Sequence, residues 1–294
     1  MLNDSQLSQE YKIRAITRDV DSEKSKQLKD KVDVVQGDVL NPASLDTALA
    51  GVHTVFIMTT PSLDPNGLEI EYNNAKAIAD AAVKAAAKYI IFSTLPSVKE
   101  ISGGKYTKVL PFDAKAKAEQ YIRGLPIKSA FFCPGSFMEN LQSQAFLSPQ
   151  RAPDGTWVFS RHNSPKSQLP LIDAIGDTGK FVGAILAEPD KYETKTFYAA
   201  TAFYSLEEIA AIMSKATGET VIYKQIPVED FEKGMPFKDE VLVGIFVDFF
   251  SYIEEFGYFG QPDPEEAISW TVKNARGKLS TLEEFLAAHP LRLE

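Results

Sequence analysis

Apolar and polar positions alternate from Tyr11 to Arg18 and then break, the pattern of a short strand, and the polar stretch over 22–29 reads as a helix. Val32-Asp33-Val34-Val35-Gln36-Gly37-Asp38 reads as a second strand ending in a glycine turn. Pro42-Ala43-Ser44-Leu45 opens a helix with proline in its first turn. Thr54-Val55-Phe56-Ile57-Met58 is an unbroken apolar run of the kind a parallel sheet buries on both faces. Between Glu71 and Lys88, the residues Ala75, Ile78, Ala79, Ala82, Val83 and Ala86 keep helical spacing, and Tyr89-Ile90-Ile91-Phe92-Ser93 follows as a strand. A helix from Phe112 to Arg123 and a strand from Ser129 to Phe132 continue the rhythm. Strand and helix alternating at this length predict an α/β fold, a doubly wound parallel sheet with right-handed crossovers.

After about residue 140 the rhythm loosens, with Pro149, Pro153-Asp154-Gly155, Pro165 and Pro170 marking loops. The expected division is a nucleotide-binding type of region over 1–140 and a smaller α+β region over 141–294. Helices are expected over Leu206–Ala216, Asp239–Phe256 and Thr281–Ala288, the first opened by a Ser205/Glu208 capping box and the last by Ser280/Glu283. The run Val241-Leu242-Val243-Gly244-Ile245-Phe246-Val247 reads as a core helix first, and second as a face for a protein partner or another copy of the chain.

Composition narrows the function classes. The 294 residues carry a formal net charge of −9, which argues against sequence-independent nucleic-acid binding, a task that needs clustered Lys and Arg. No apolar stretch is long enough to span a bilayer. The start Met1-Leu2-Asn3-Asp4-Ser5-Gln6 has neither a basic nor an apolar leader segment, so a cytoplasmic, and also nuclear, location is expected. The single cysteine, Cys133, ends an apolar run and reads as a buried small hydrophobe. His53, His162 and His289 are scattered without carboxylates at ligand spacing, so neither a metal site nor a nucleophilic triad is expected.

Five segments in order resemble the NmrA-like family, an atypical branch of the short-chain dehydrogenase/reductase superfamily. They are Arg14-Ala15-Ile16-Thr17-Arg18, Gly37-Asp38-Val39, Phe112-Asp113-Ala114-Lys115, Pro134-Gly135-Ser136-Phe137-Met138-Glu139-Asn140 and Ala152-Pro153-Asp154-Gly155. The resemblance implies a Rossmann-like fold, NADP(H) in preference to NAD(H), and either a reductase of a small carbonyl or quinone-like substrate or a non-catalytic regulator. Such a regulator senses the dinucleotide and acts on a protein partner. It also implies a strand and a Gly-x-x-Gly-x-x-Gly turn ahead of the Tyr11 strand, which this sequence does not show, and the expectation is an N-terminal truncation. That turn and the helix after it would supply the N–H groups that hold a pyrophosphate, so dinucleotide binding is in question without it. In the sheet order of this fold the absent strand is central, so the gap must close by pairing of the Tyr11 and Thr54 strands, be filled, or prevent folding.

The resemblance also assigns candidates. Arg18, with Thr17 beside it, would face a ribose 2′-phosphate, and Asp38 with Val39 the adenine, although Asp38 reads equally well as a turn or cap residue. Thr59 and Thr60, with Pro61, stand at the strand edge where the nicotinamide ribose would lie. Ser93, with Thr94, occupies the corresponding end of the next strand, where dehydrogenases of this fold carry a catalytic serine. Lys115 corresponds to the lysine of a Tyr-x-x-x-Lys pair, but the tyrosine position is Pro111, which has no proton to give; otherwise Lys115 reads as a solvated residue paired with Glu119. Pro134 and Phe137 would close over the nicotinamide, and Tyr106 and Tyr121 are candidate proton donors by residue type alone.

Overall fold

The computed structural model describes residues 2, 4–64 and 66–293. In chain order the first elements are α1 (Leu7–Glu10), β1 (Arg14–Thr17), α2 (Glu23–Lys29), β2 (Asp33–Gln36), α3 (Pro42–Ala48), β3 (Thr54–Ile57), α4 (Gly67–Lys84), β4 (Tyr89–Ser93), α5 (Val98–Ile101), α6 (Leu110–Arg123) and β5 (Lys128–Pro134). They are followed by β6 (Ser136–Phe137), α7 (Asn140–Ser143), β7 (Gln150–Arg151), β8 (Trp157–Arg161), β9 (Gln168–Ile172), α8 (Ala174–Ala187), β10 (Thr196–Ala199) and β11 (Ala202–Ser205). The last are α9 (Leu206–Thr217), β12 (Val221–Gln225), α10 (Val228–Gly234), α11 (Glu240–Phe256), α12 (Pro264–Asn274) and α13 (Leu282–Ala288).

The expected parallel sheet is present, in two pieces. A four-stranded sheet has the order β10-β5-β4-β3, every pair parallel, with Thr54 opposite Tyr89, Tyr89 opposite Lys128, and Thr196 opposite Phe131. The strands β1 and β2 pair in parallel as a separate ribbon, with Arg14 opposite Asp33. Among the described residues no ladder joins β1 to β3, so the gap is not closed by direct pairing. Its margins expose apolar side chains: Ile16 at 40%, Phe56 at 41% and Met58 at 70%.

The strands β4 and β5 are covered on both faces, as unbroken apolar strands require, whereas β3 buries Val55 and Ile57 on one face and leaves Phe56 exposed on the other. On one face Val55, Ile57, Ile90, Phe92 and Phe131 pack on Ala75, Ala79 and Ala82 of α4 and on Ala118 and Ile122 of α6. On the other, Tyr89, Ile91, Ala130 and Phe132 pack on Phe181, Val182 and Ile185 of α8. A third core encloses Trp157, Phe159, Leu169, Leu171, Ile209, Phe250 and Ile253, with α9, α11 and α13 over the sheets β11-β9-β6 and β12-β8-β7.

Of the boundaries that differ from the sequence expectation, two have a clear local reason. The helix α4 stops at Lys84 because Ala86 takes φ 58°, and Ala87 N–H donates to the Ala82 carbonyl at 3.1 Å, the closing bond of a Schellman turn. The last capping box is Thr281/Glu284, one residue later than expected. Ser280 is engaged elsewhere: its Oγ donates to Asp173 Oδ2 at 3.0 Å and its N–H to Asp177 Oδ2 at 2.9 Å. The Ser205/Glu208 box forms as the sequence predicts. Among the described residues no helix is long and apolar enough to cross a membrane.

Candidate functional site

Parallel strands end together, so side chains at the carboxyl edge of a sheet form a row. The register sets Ile57 opposite Phe92, Phe92 opposite Phe131, and Cys133 opposite Tyr198. One ladder bond further, Thr94 N–H donates to the Phe132 carbonyl at 2.8 Å. Because side chains alternate between faces, Thr59, Thr94, Cys133 and Tyr198 share the face covered by α4 and α6. Ser93 lies opposite Phe132, on the α8 face.

Lys115 reaches this row from α6. It is buried, at 7% exposed, and is not the solvated residue paired with Glu119 of the alternative reading; Glu119 instead binds Arg123, the next turn along. The Lys115 ammonium contacts the Glu71 carboxylate of α4 and donates to the Thr59 carbonyl at 3.3 Å. The Thr59 hydroxyl donates to Glu71 Oε1 at 2.7 Å, closing a buried triangle in which Glu71 is 1% and Thr59 9% exposed. Thr60, the next residue, is exposed.

A cavity of about 230 Å³ continues along the same face beneath α6, lined by Thr94, Ser97, Glu119, Gln120, Cys133 and Tyr198 among others. Burial pushes the Tyr198 phenol well above its ordinary range, with the Cys133 thiol and Glu119 adding to it, and its hydroxyl has no hydrogen-bond partner among the described residues. Cys133 is buried, and that burial pushes its thiol up too, so it is an inert wall residue.

The candidates on the ribbon are arranged differently. Thr17 Oγ1 donates to the Asp19 carbonyl at 3.2 Å, and the exposed Arg18 has no ion-pair partner among the described residues. Asp38 is a turn residue: its Oδ1 accepts from Leu40 N–H at 2.9 Å, and its own N–H donates to Ser44 Oγ at 2.9 Å, while Val39 is half-buried. Past β5, Pro134 is buried and Phe137 is 41% exposed. Between them Gly135 passes so close to β9 that a Cβ there would sit 2.4 Å from the Pro170 carbonyl oxygen. Glu139 caps α8, accepting from the N–H groups of Ala174 and Ile175 at 3.2 and 2.9 Å.

Neither expected substitute tyrosine stands at Lys115. The Tyr106 hydroxyl donates to Glu255 Oε1 at 2.6 Å, and Tyr121 binds Asp80 and Lys76 further down the α4–α6 interface. The residues that the sequence reading missed are Glu71 and Tyr198. A signal for Glu71 was present: it heads the helical stripe completed by Ala75, Ala79 and Ala82, one carboxylate on an otherwise apolar face. For Tyr198, on a strand far along the chain, no local signal exists.

The sequence profile of the NmrA-like family matches residues 2–286. An NmrA-like family protein of Dictyostelium discoideum is 28% identical over 283 residues, covering 94% of this chain and 88% of its own length. An NmrA-like family oxidoreductase of Cladobotryum is 27% identical over 280 residues, covering 87% and 81%. Among solved structures, NmrA, a negative transcriptional regulator crystallised with NADP, superposes with a TM-score of 0.75 at 23% identity, covering 93% of this chain and 86% of its own. The NADP(H) complex of Citrobacter triphenylmethane reductase gives 0.72 at 20% identity, covering 95% and 90%. At these identities the superpositions show a shared Rossmann-like fold.

Proposed function

The chain belongs to the NmrA-like family, and on that premise we propose that it is an NADP(H)-dependent oxidoreductase of a small carbonyl or quinone-like substrate. The observation that carries this reading is the placement of Lys115: a buried ammonium delivered by α6 to the carboxyl edge of β3, where ligands gather in doubly wound sheets. Relatives named as oxidoreductases and a fold neighbour crystallised with NADP(H) support it.

When bound, the dinucleotide supplies a hydride. In this reading residues 1–140 hold it and 141–294 complete the substrate or partner surface. Arg18, exposed and uncommitted, takes the 2′-phosphate, with Thr17, Asp38 and Val39 along the adenosine. Lys115 binds the nicotinamide ribose beside Thr59 and Thr60, and Pro134 and Phe137 border the ring. The cavity beneath α6 takes the substrate, where the Tyr198 hydroxyl, kept protonated by burial, donates a hydrogen bond to a carbonyl oxygen. Thr94, on the cavity face, takes the place given to Ser93 in the sequence reading.

A second reading, a dinucleotide-sensing regulator without turnover, is favoured by Pro111 at the tyrosine position and by the engagement of Lys115 with Glu71. NADPH titration followed by nicotinamide fluorescence separates the two. Binding with oxidation of NADPH by a carbonyl and quinone panel is the expected result. Binding without turnover sinks the enzyme reading in favour of the regulator, and no binding sinks both.

A further inference from the structure

The buried pair at the α4–α6 interface has a burial cost that neither helix needs for packing. The stripes that let the two helices approach are small, with Ala75, Ala79 and Ala82 facing Ala118 and Ile122, and each stripe ends in one charged residue, Glu71 or Lys115. Replacing such a pair by apolar residues is often neutral or stabilising, so packing alone does not account for its position at the sheet edge. Arg161 gives an internal comparison. It is 3% exposed, its guanidinium donates to the carbonyls of Ser160 and Leu147 at 2.6 and 2.7 Å, and no carboxylate pairs with it among the described residues. There burial pulls the cation down to about 9. Carbonyls hold that buried cation in place, whereas Lys115 meets an opposing charge in Glu71.

We propose that Glu71 is the positioning residue for Lys115: its buried carboxylate holds the ammonium fixed against the Thr59 carbonyl, presented to the ribose of a bound dinucleotide. This rests on the dinucleotide reading above. Glu71 touches neither ribose nor substrate; it acts through Lys115 and, by accepting the Thr59 hydroxyl, through the strand end. The other titratable groups packed around the pair are committed elsewhere. Lys117 binds Glu69, Lys76 binds Asp80 and Tyr121, Glu119 binds Arg123, and Asp113 accepts from Ser97 and Lys99 N–H on the far side of α6. The neighbouring strand ends contribute the hydroxyl groups of Ser93 and Thr94 and the protonated groups of Cys133 and Tyr198.

The test compares the unsubstituted chain with Glu71→Gln, Lys115→Met and the double variant, first without dinucleotide. Urea unfolding is expected to show coupling, with Lys115→Met stranding a buried carboxylate and Glu71→Gln restoring part of the loss. Additive losses overturn the proposal. NADPH affinity is then followed by fluorescence from about pH 7 to about pH 9, where a buried lysine without a counter-charge can lose its proton. Glu71→Gln is expected to bind about tenfold more weakly, the order of one charge-assisted hydrogen bond, and to lose affinity as the pH rises. The unsubstituted chain and Glu71→Asp stay flat, and the double variant is no weaker than Lys115→Met. A uniform loss with a flat pH profile marks a merely structural role and overturns the proposal while leaving the dinucleotide reading intact. Absence of binding by the unsubstituted chain overturns both.

Discussion

The β1–β2 ribbon and the β10-β5-β4-β3 sheet are made of the same kind of short parallel strand, yet only the second has strands, β4 and β5, buried on both faces. Ile90, Ile91 and Phe92 of β4 are fully buried, whereas Ile16 of β1 is 40% exposed. The difference extends to the candidate residues. Thr17 and Asp38 bond within a few residues of themselves, while Lys115, Glu71 and Thr59 come from two helices and a strand end and bond across the fold. A site spread over both would have one end set by local turns and the other by the core. The largest expected effect separates them by stability. Phe92→Ala should cost about 3 to 5 kcal/mol and Ile16→Ala no more than about 1 kcal/mol, read from urea unfolding midpoints. Equal losses would mean the ribbon and the sheet share one core after all.

What the sequence revealed follows the same division. The strands β4 and β5 were legible because burial on both faces demands continuous apolar runs, β3 shows such a run although Phe56 on its second face is exposed, and the Lys115 helix was legible from its family motif. The partner of Lys115 was not, because Glu119 stands at the local i, i+4 position while Glu71 reaches it only through the packing of α4 on α6. Residue type placed hydroxyls at the end of β4, but only strand register shows that Thr94, and not Ser93, shares a face with Thr59. The offset of the last capping box has the same origin: Ser280 satisfies the box pattern on paper and is drawn instead to Asp173 and Asp177 of the α8 start, more than a hundred residues away.

The next effect probes the ribbon by its chemistry. In the proposed reading Arg18 meets the 2′-phosphate from an exposed position, so Arg18→Ala should weaken NADPH by about ten- to a hundredfold, the range of hydrogen bonds to charged groups, and leave NADH almost unchanged. Because Arg18 is uncommitted in the fold, the unfolding midpoint should not move. Equal losses for NADPH and NADH would remove the 2′-phosphate assignment. A loss of stability would show that the ribbon's candidates are as embedded as those of the sheet.

The smallest effect concerns how the ribbon is tied to the rest. The chain ahead of β1 is anchored on the body: Leu7 is 1% exposed within the α8 core, and the Tyr11 hydroxyl donates to the Leu186 carbonyl at 3.1 Å. Asp4 accepts from Arg276 Nε and Nη2 at 2.8 and 3.0 Å, just beyond α12. The Arg276 bond, with those from the Leu7 and Gln6 N–H groups, brings the Asp4 carboxyl down from 3.8 to about 2. A carboxyl lowered in the folded state binds fewer protons there than in the unfolded chain, so its contribution is complete above 3.8 and is lost as the pH falls through about 2. Asn at position 4 keeps an oxygen for the Gln6 and Leu7 N–H groups while removing the charge that faces Arg276. Asp4→Asn should therefore speed amide exchange over Leu7–Tyr11 slightly at neutral pH. The gap between variant and unsubstituted chain should stay constant above about pH 4 and narrow as the pH falls from there through about 2, where Asp4 itself protonates. A gap that does not change with pH would mean that the ion pair contributes nothing and that apolar burial of Leu7 alone holds the start of the ribbon to the body.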